Sequence, residues 1–267
     1  MEQALDVSNH TGVFGAEAVA CWRSSGHTHI ICGTQRPPTT RAQLAAALAG
    51  GLTADAYCFL YWDASMRDQV VAALAAVAGF PVGRLWLDCE DGVEGHSAAT
   101  VVALIGEAVA ACGDFPCGIY TGRWWWLPST SDSAAFGHLP LWHAEWTAGP
   151  DIAPDFDRFR PYGGWTRPAM WQFQGTTQLC GFGVDLNLRE APIVSPVPAP
   201  AEPPPPPELD SEPDELAVLR AERRFLRALL GGRYRFRPLE TPTLVELQQL
   251  RGKDFVPLDP PCLLSVD

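Results

Sequence analysis

Short apolar, β-prone runs alternate with helical periodicity through the first 190 residues of the chain. The runs predict strands over 4–8, 29–33, 56–61, 84–90, 118–121, 139–145, 169–174 and 183–187. Apolar positions at helical spacing predict helices over 16–23, 41–49, 66–78 and 98–112. The first half therefore reads as βα repeats, which imply a parallel sheet with helices packed outside it. In the second half the strands crowd together and long helices are missing, so the later strands are expected to pair through hairpins. The fold class that follows is α/β: an irregular, TIM-barrel-like (β/α) barrel of eight strands.

Composition changes abruptly beyond that region. Residues 191–213 hold ten prolines, including the run 203–207, which predicts a semi-rigid polyproline II linker. The following segment, 214–267, is below the size at which a core usually supports itself. It is expected to be a small, mostly helical tail, with one helix opening at 211–215 and ending at Gly231-Gly232 and a weaker one over 243–250. The expected organisation is thus 1–190, a catalytic-sized domain; 191–213, the linker; and 214–267, the tail.

Charge and cysteine usage narrow the function classes. With a formal net charge of −12, the chain is a poor partner for nucleic acid or an anionic membrane surface. Lys253 is the only lysine, which excludes lysine-based catalysis in the main domain. The eight cysteines are scattered, without a CxxC, and mostly lie in apolar runs; they read as buried free thiols rather than a zinc site or a disulfide framework. His27, His29 and Cys32 lack a fourth metal ligand and read as packing residues. No metal or other cofactor is expected. No run is long enough to span a membrane, and no basic or apolar leader precedes the first motif, so synthesis in the cytoplasm without a signal peptide is expected.

The candidate chemistry lies in carboxylates at strand ends. Asp88 and Glu90 in Leu85-Trp86-Leu87-Asp88-Cys89-Glu90 are two apart, so in a strand they share a face. Two inward acids are costly unless solvated, hydrogen-bonded or functional, although an acidic turn accounts for the motif equally well. Asp6 on the first strand and Asp185 on the last become neighbours if the barrel closes. Taken singly they are a turn residue and a loop residue; together with Asp88 and Glu90 they would share one mouth, where mutual repulsion raises a pKa and keeps an acid protonated. Such a pair suits glycosidic bond cleavage. Tryptophans cluster in the second half, consistent with a sugar cleft but equally with core packing. There is no GxSxG, phosphate loop, dinucleotide fingerprint or HExxH.

In this order, Asp6-Val7-Ser8, Ala56-Tyr57-Cys58-Phe59, Asp88-Cys89-Glu90, Gly118-Ile119-Tyr120-Thr121, Leu141-Trp142-His143-Ala144-Glu145-Trp146, Trp171-Gln172-Phe173 and Val184-Asp185-Leu186-Asn187 resemble the family-25 glycoside hydrolases, lysozymes that act as N-acetylmuramidases. The resemblance covers about 190 residues. It implies a flattened β/α barrel and cleavage of the β-1,4 bond between N-acetylmuramic acid and N-acetylglucosamine in peptidoglycan. Glu90 would be the acid/base, and Asp88 would assist the substrate's acetamido group. Asp6 and Asp185 would complete the acidic floor, and Tyr57, Tyr120, Trp142 and Gln172 would line the substrate site. A separate protein nucleophile is the competing mechanism. The chain departs from the family at Cys58, often His, and Trp146, often Tyr, and segment 122–138 has no evident counterpart. Without a leader, the expected setting is a phage endolysin or virion-associated lysin reaching the wall by holin-type release or within a virion, its tail binding wall, self-associating or docking on a phage component. Two rivals stand beside this: a weak or inactive wall-binding or virion structural module, and a related hydrolase of another polysaccharide.

Overall fold

The computed structural model describes residues 1–146 and 155–190, together with four short backbone strands between 234 and 265. The chain divides into two compact units, Met1–Val194 and Ser195–Asp267.

The first unit is a closed barrel of eight strands: β1 (Glu2–Val7), β2 (His27–Gly33), β3 (Thr53–Phe59), β4 (Val82–Asp88), β5 (Cys117–Thr121), β6 (Leu141–Ala144), β7 (Met170–Leu179) and β8 (Phe182–Arg189). β1 through β7 pair in parallel, while β8 runs antiparallel to both β7 and β1. Helices α1 (Ala16–Ser24), α2 (Pro37–Ala49), α3 (Met66–Val77), α4 (Ala98–Ala111) and α5 (Arg123–Thr130) follow the first five strands. The expected barrel, with a hairpin in its second half, is the one found.

Strand burial explains the apolar runs. In β2, β3 and β4 nearly every residue is buried, because one face meets the barrel interior and the other meets helices. The interior holds Ala4, Ile31, Tyr57, Trp86, Tyr120, Trp142 and Met170. A second, larger apolar layer lies between strands and helices, with Leu5, Ile30, Leu44, Leu85, Ile105 and Trp22 among its members. Gly118 is needed for space: a Cβ there would stand 2.5 Å from the Trp86 ring.

Helix starts follow local chemistry. Ser65 and Ser97 accept hydrogen bonds from the N–H groups of Asp68 and Thr100, capping α3 and α4. α2 begins four residues earlier than its periodicity suggests, because Pro37 occupies the first turn, where its fixed φ suits a helix and no N–H is required. α5 was not expected at all, since it contains Trp124-Trp125-Trp126 and an internal Pro128. Packing holds it: Trp125 stacks on Trp62 at 5.4 Å and Trp126 meets Trp165 edge-on at 4.8 Å.

Two expectations are corrected. Cys21 and Cys180 are not free thiols but a disulfide joining residues 159 apart. The β7–β8 turn, where Cys180 and Gly181 both have positive φ, lies over α1, and Trp22 donates its indole N–H to Leu179 O at 3.2 Å. Sequence spacing could not show that a hairpin tip meets the first helix. Cys32, Cys58, Cys89, Cys112 and Cys117 are free. In the second unit the helix expected over 243–250 is a strand, β10 (Leu244–Arg251), in a sheet with β9 (Tyr234–Pro238), β11 (Asp254–Pro257) and β12 (Leu263–Ser265). Leu244-Val245 and Leu247 alternate with polar residues as well as a strand as they do a helix, and pairing with three neighbours decides between them. The linker 191–213 and the helix expected after 211 lie outside the described residues.

Because the disulfide closes so long a loop, Cys180→Ser should lower stability by about 2–5 kcal/mol. Thermal unfolding of the native protein should fall on reduction, while the variant should not respond to reductant; equal melting of both under oxidising conditions would contradict this.

Candidate active site

The four carboxylates meet at the C-terminal end of the parallel strands. Alternation along β1 turns Ala4 and Asp6 inward, and alternation along β4 does the same for Trp86 and Asp88, with Glu90 just beyond the strand. Across the closing seam Asp6 is the register partner of Asp185 on β8. Asp6 and Asp88 are buried, whereas Glu90 and Asp185 are half-buried at the mouth.

Side-chain amides hold this cluster together. Asp6 Oδ2 accepts from Gln172 Nε2 at 3.0 Å and from Asn187 Nδ2 at 2.8 Å. Gln172 Nε2 also lies 3.3 Å from Asp185 Oδ2, and Thr176 N–H donates to the other Asp185 oxygen at 2.5 Å. Trp142 Nε1 donates to Asn187 Oδ1 at 2.7 Å, fixing the amide so that its NH₂ faces Asp6. The Tyr120 hydroxyl sits 2.9 Å from Gln172 Oε1 and 3.3 Å from Glu90 Oε2. Asp88 Oδ1 is buried without a hydrogen-bond partner among the described residues. An unsatisfied, buried acceptor at a pocket is costly unless something else supplies a donor.

No Arg or His forms an ion pair with any of the four acids among the described residues. Electrostatics therefore run one way. Burial, reinforced by Asp185, pushes the Asp6 carboxyl up to about 7 despite the two amide bonds. Burial and the neighbouring Glu90 and Asp6 push Asp88 well above the ordinary carboxylate range. Burial raises Glu90, with the Tyr120 hydroxyl opposing and Asp185 and Asp91 adding to the shift. Asp185 is raised by burial against the pull of the Thr176 N–H. The cluster thus retains protons at neutral pH that isolated carboxylates would have lost.

All eight residues expected at the site share this end of the barrel, but not in equivalent positions. Tyr57 is a wall residue whose ring meets Trp142 edge-on at 6.3 Å, and it also borders a groove of about 690 Å³ formed with His10, Gln35, Phe59, Tyr61 and Trp62. Trp142 and Gln172 are buried below the opening, so they position acids rather than present faces to a ligand. Asn187 and Thr176 are not among the expected site residues, and Trp146 enters the sequence reading only as a departure from the family's usual Tyr. Asn187 had a legible signal, since it lies two residues beyond Asp185 on one strand and so shares its face. Thr176 contributes only a backbone N–H, at a bulge with φ 52°, and no sequence pattern reveals that.

A family model described as lysozyme-like protein 1 matches residues 2–173, which spans β1 to β6, the start of β7 and three of the four acids. The chain belongs to the family-25 lysozymes, a family of glycoside hydrolases. Lysozyme-like protein 5 of Caenorhabditis elegans is 35% identical over 177 residues, covering 62% of this chain and 76% of its own. The family-25 lysozyme structure from Aspergillus fumigatus shares the fold with a TM-score of 0.58 at 22% identity, over 72% of this chain and 95% of that one. The modular Cpl-1 endolysin, solved with a peptidoglycan analogue, has a TM-score of 0.51 at 18% identity, over 70% of this chain and 54% of that one. The chain spans 31% of the length of one further curated relative and 89% of another.

The raised acids make this lysozyme-like barrel sensitive to alkali. Asp6 ordinarily ionises near 3.8 and in the fold near 7, so its contribution to stability is complete below about pH 4 and lost as pH rises to about 7. Asp6→Asn keeps an acceptor for both amides and removes that loss. At pH 8 the variant should be more stable than the native protein by roughly 1–3 kcal/mol, and its melting temperature should vary less between pH 5 and pH 8. Parallel melting curves against pH would refute the assignment.

Proposed function

We propose that the protein is an N-acetylmuramidase that hydrolyses the β-1,4 bond between N-acetylmuramic acid and N-acetylglucosamine in bacterial peptidoglycan. The observation that carries this reading is the pair at the end of β4. Glu90 is half-buried at the mouth with its proton favoured, and Asp88 lies beneath it with one carboxylate oxygen free to accept a substrate donor. The peptidoglycan analogue bound to the similarly folded Cpl-1 endolysin supports the substrate class.

In this reading Glu90 donates its proton to the glycosidic oxygen as the C1–O bond breaks. The acetamido carbonyl oxygen of the same sugar attacks C1, and its N–H donates to Asp88. Asp88 and Glu90 hold protons jointly in the free protein. The N–H donor and the positive charge developing on the sugar both favour ionised Asp88, which leaves Glu90 as the remaining acid. Water then adds to C1, giving its proton to the Glu90 carboxylate, and two inversions leave net retention. Tyr120 orients Glu90, while Asp6 and Asp185 add negative potential below the cationic centre. A phage endolysin or virion-associated setting, with the tail docking on wall or phage component, belongs to the same reading. It is supported by the proline-rich division of the chain.

Release of reducing muramic acid ends from purified peptidoglycan tests the proposal. Glu90→Gln should lower the rate by about 10²–10⁴-fold with its melting temperature retained. Activity should decline as pH rises through the raised pKa of Glu90, so the loss should set in above the ordinary carboxylate range. Wall binding without any release, by the native protein across several wall types, would favour the binding-module alternative. Release from chitin-type glycans alone would favour a different polysaccharide.

A further inference from the structure

Eight of the ten tryptophans are at most 4% exposed, whereas Trp124 and Trp146 are 64% and 67% exposed. Leaving an indole in water forgoes roughly 1.5–3 kcal/mol of burial, and two at one end of a barrel call for an explanation. Trp124 lies in the first turn of α5, just after β5, and Trp146 lies two residues after β6. β5 and β6 are paired neighbours, with Thr121 opposite His143. Both indoles therefore leave the same barrel end from adjacent strands.

Each indole is seated on a glycine. A Cβ on Gly122 would stand 2.2 and 2.5 Å from Trp124 ring atoms, and one on Gly175 would stand 3.0 Å from Trp146 ring atoms. Neither glycine has a positive φ, so what these positions require is room for a ring rather than conformational freedom. Trp146 is also tethered: its Nε1 donates to Gln172 Oε1 at 3.2 Å, the oxygen that accepts from Tyr120, whose hydroxyl reaches Glu90. Trp146 is thereby tied to the acid network, and Trp124 leaves the same barrel end from the neighbouring strand. The groove bordered by Phe59, Tyr61 and Trp62 is built from loops after β1 to β4, whereas the two tryptophans follow β5 and β6.

We propose that Trp124 and Trp146 form a second aromatic stretch of the cleft, stacking on a hexosamine ring on the β5–β6 side of Glu90. A glycan strand then crosses the acids between the groove and this platform. The apolar face of a pyranose ring matches an exposed indole face. Its ligand class rests on the muramidase reading; its location does not. These are specificity residues, not catalytic ones.

The test is calorimetric titration of the full-length protein, carrying Glu90→Gln, with a soluble tetrasaccharide of alternating N-acetylglucosamine and N-acetylmuramic acid. Trp124→Ala and Trp146→Ala should each weaken binding by roughly fivefold to fiftyfold, with Trp124→Phe recovering most of the loss and melting temperatures unchanged. In the active protein the same substitutions should raise KM far more than they lower kcat. Unchanged affinity in both alanine variants, or no binding of the tetrasaccharide at all, overturns the platform. Tryptophan-dependent binding without cleavage by the active protein leaves the platform standing and refutes the hydrolase; cleavage with tryptophan-independent affinity does the reverse.

Discussion

The antiparallel closure of the barrel governs this molecule. β8 returns between β7 and β1 and sets Asp185 directly opposite Asp6. Like charges opposite one another across a strand pair destabilise a sheet, and here the pair is also largely withdrawn from water. The arrangement survives because amide groups surround it. Gln172 and Asn187 donate to Asp6, and Trp142 and Tyr120 fix the far ends of those amides. Tyr120 and Trp142 therefore serve the electrostatics of the site as well as the packing of the interior.

The absence of paired cations among the described residues gives the cluster its character. An arginine in the barrel would hold the carboxylates ionised. With only neutral donors, desolvation prevails and protons are retained. Under the proposed hydrolysis an acid must still be protonated when substrate arrives, and burial together with the lack of paired cations would provide for that. The cost is borne by the fold, which is held elsewhere by the apolar layer outside the strands and by the Cys21–Cys180 bridge.

The tryptophans divide by the same logic. Trp22, Trp125 and Trp126 bury their rings in the outer layer and carry α1 and α5 against the barrel. Trp86 and Trp142 fill the interior, with their indole N–H groups directed at Asp55 and Asn187. Trp124 shares a helix with Trp125 and Trp126 yet points away from both layers. Adjacent positions in one triple run thus serve packing and exposure in turn.

Much of this was legible in the chain itself. The eight apolar runs mark the strands because a strand covered on both faces must be apolar along its length, and period-two alternation puts Asp88 and Glu90 on one side. The ordered motifs likewise place Asp6 on the first strand and Asp185 on the last, and together they identify the family. What the sequence left open depends on contacts between distant segments. Which strand closes the barrel, and in which direction, decides that Asp6 faces Asp185. The meeting of the β7–β8 turn with α1 decides that two scattered cysteines form a bridge. Packing against Trp62 and Trp165 makes a helix of a tryptophan- and proline-containing segment. Strand pairing likewise makes β10 of a segment whose periodicity suits either state. Local pattern determines which face of an element is apolar; only the tertiary fold determines what that face meets.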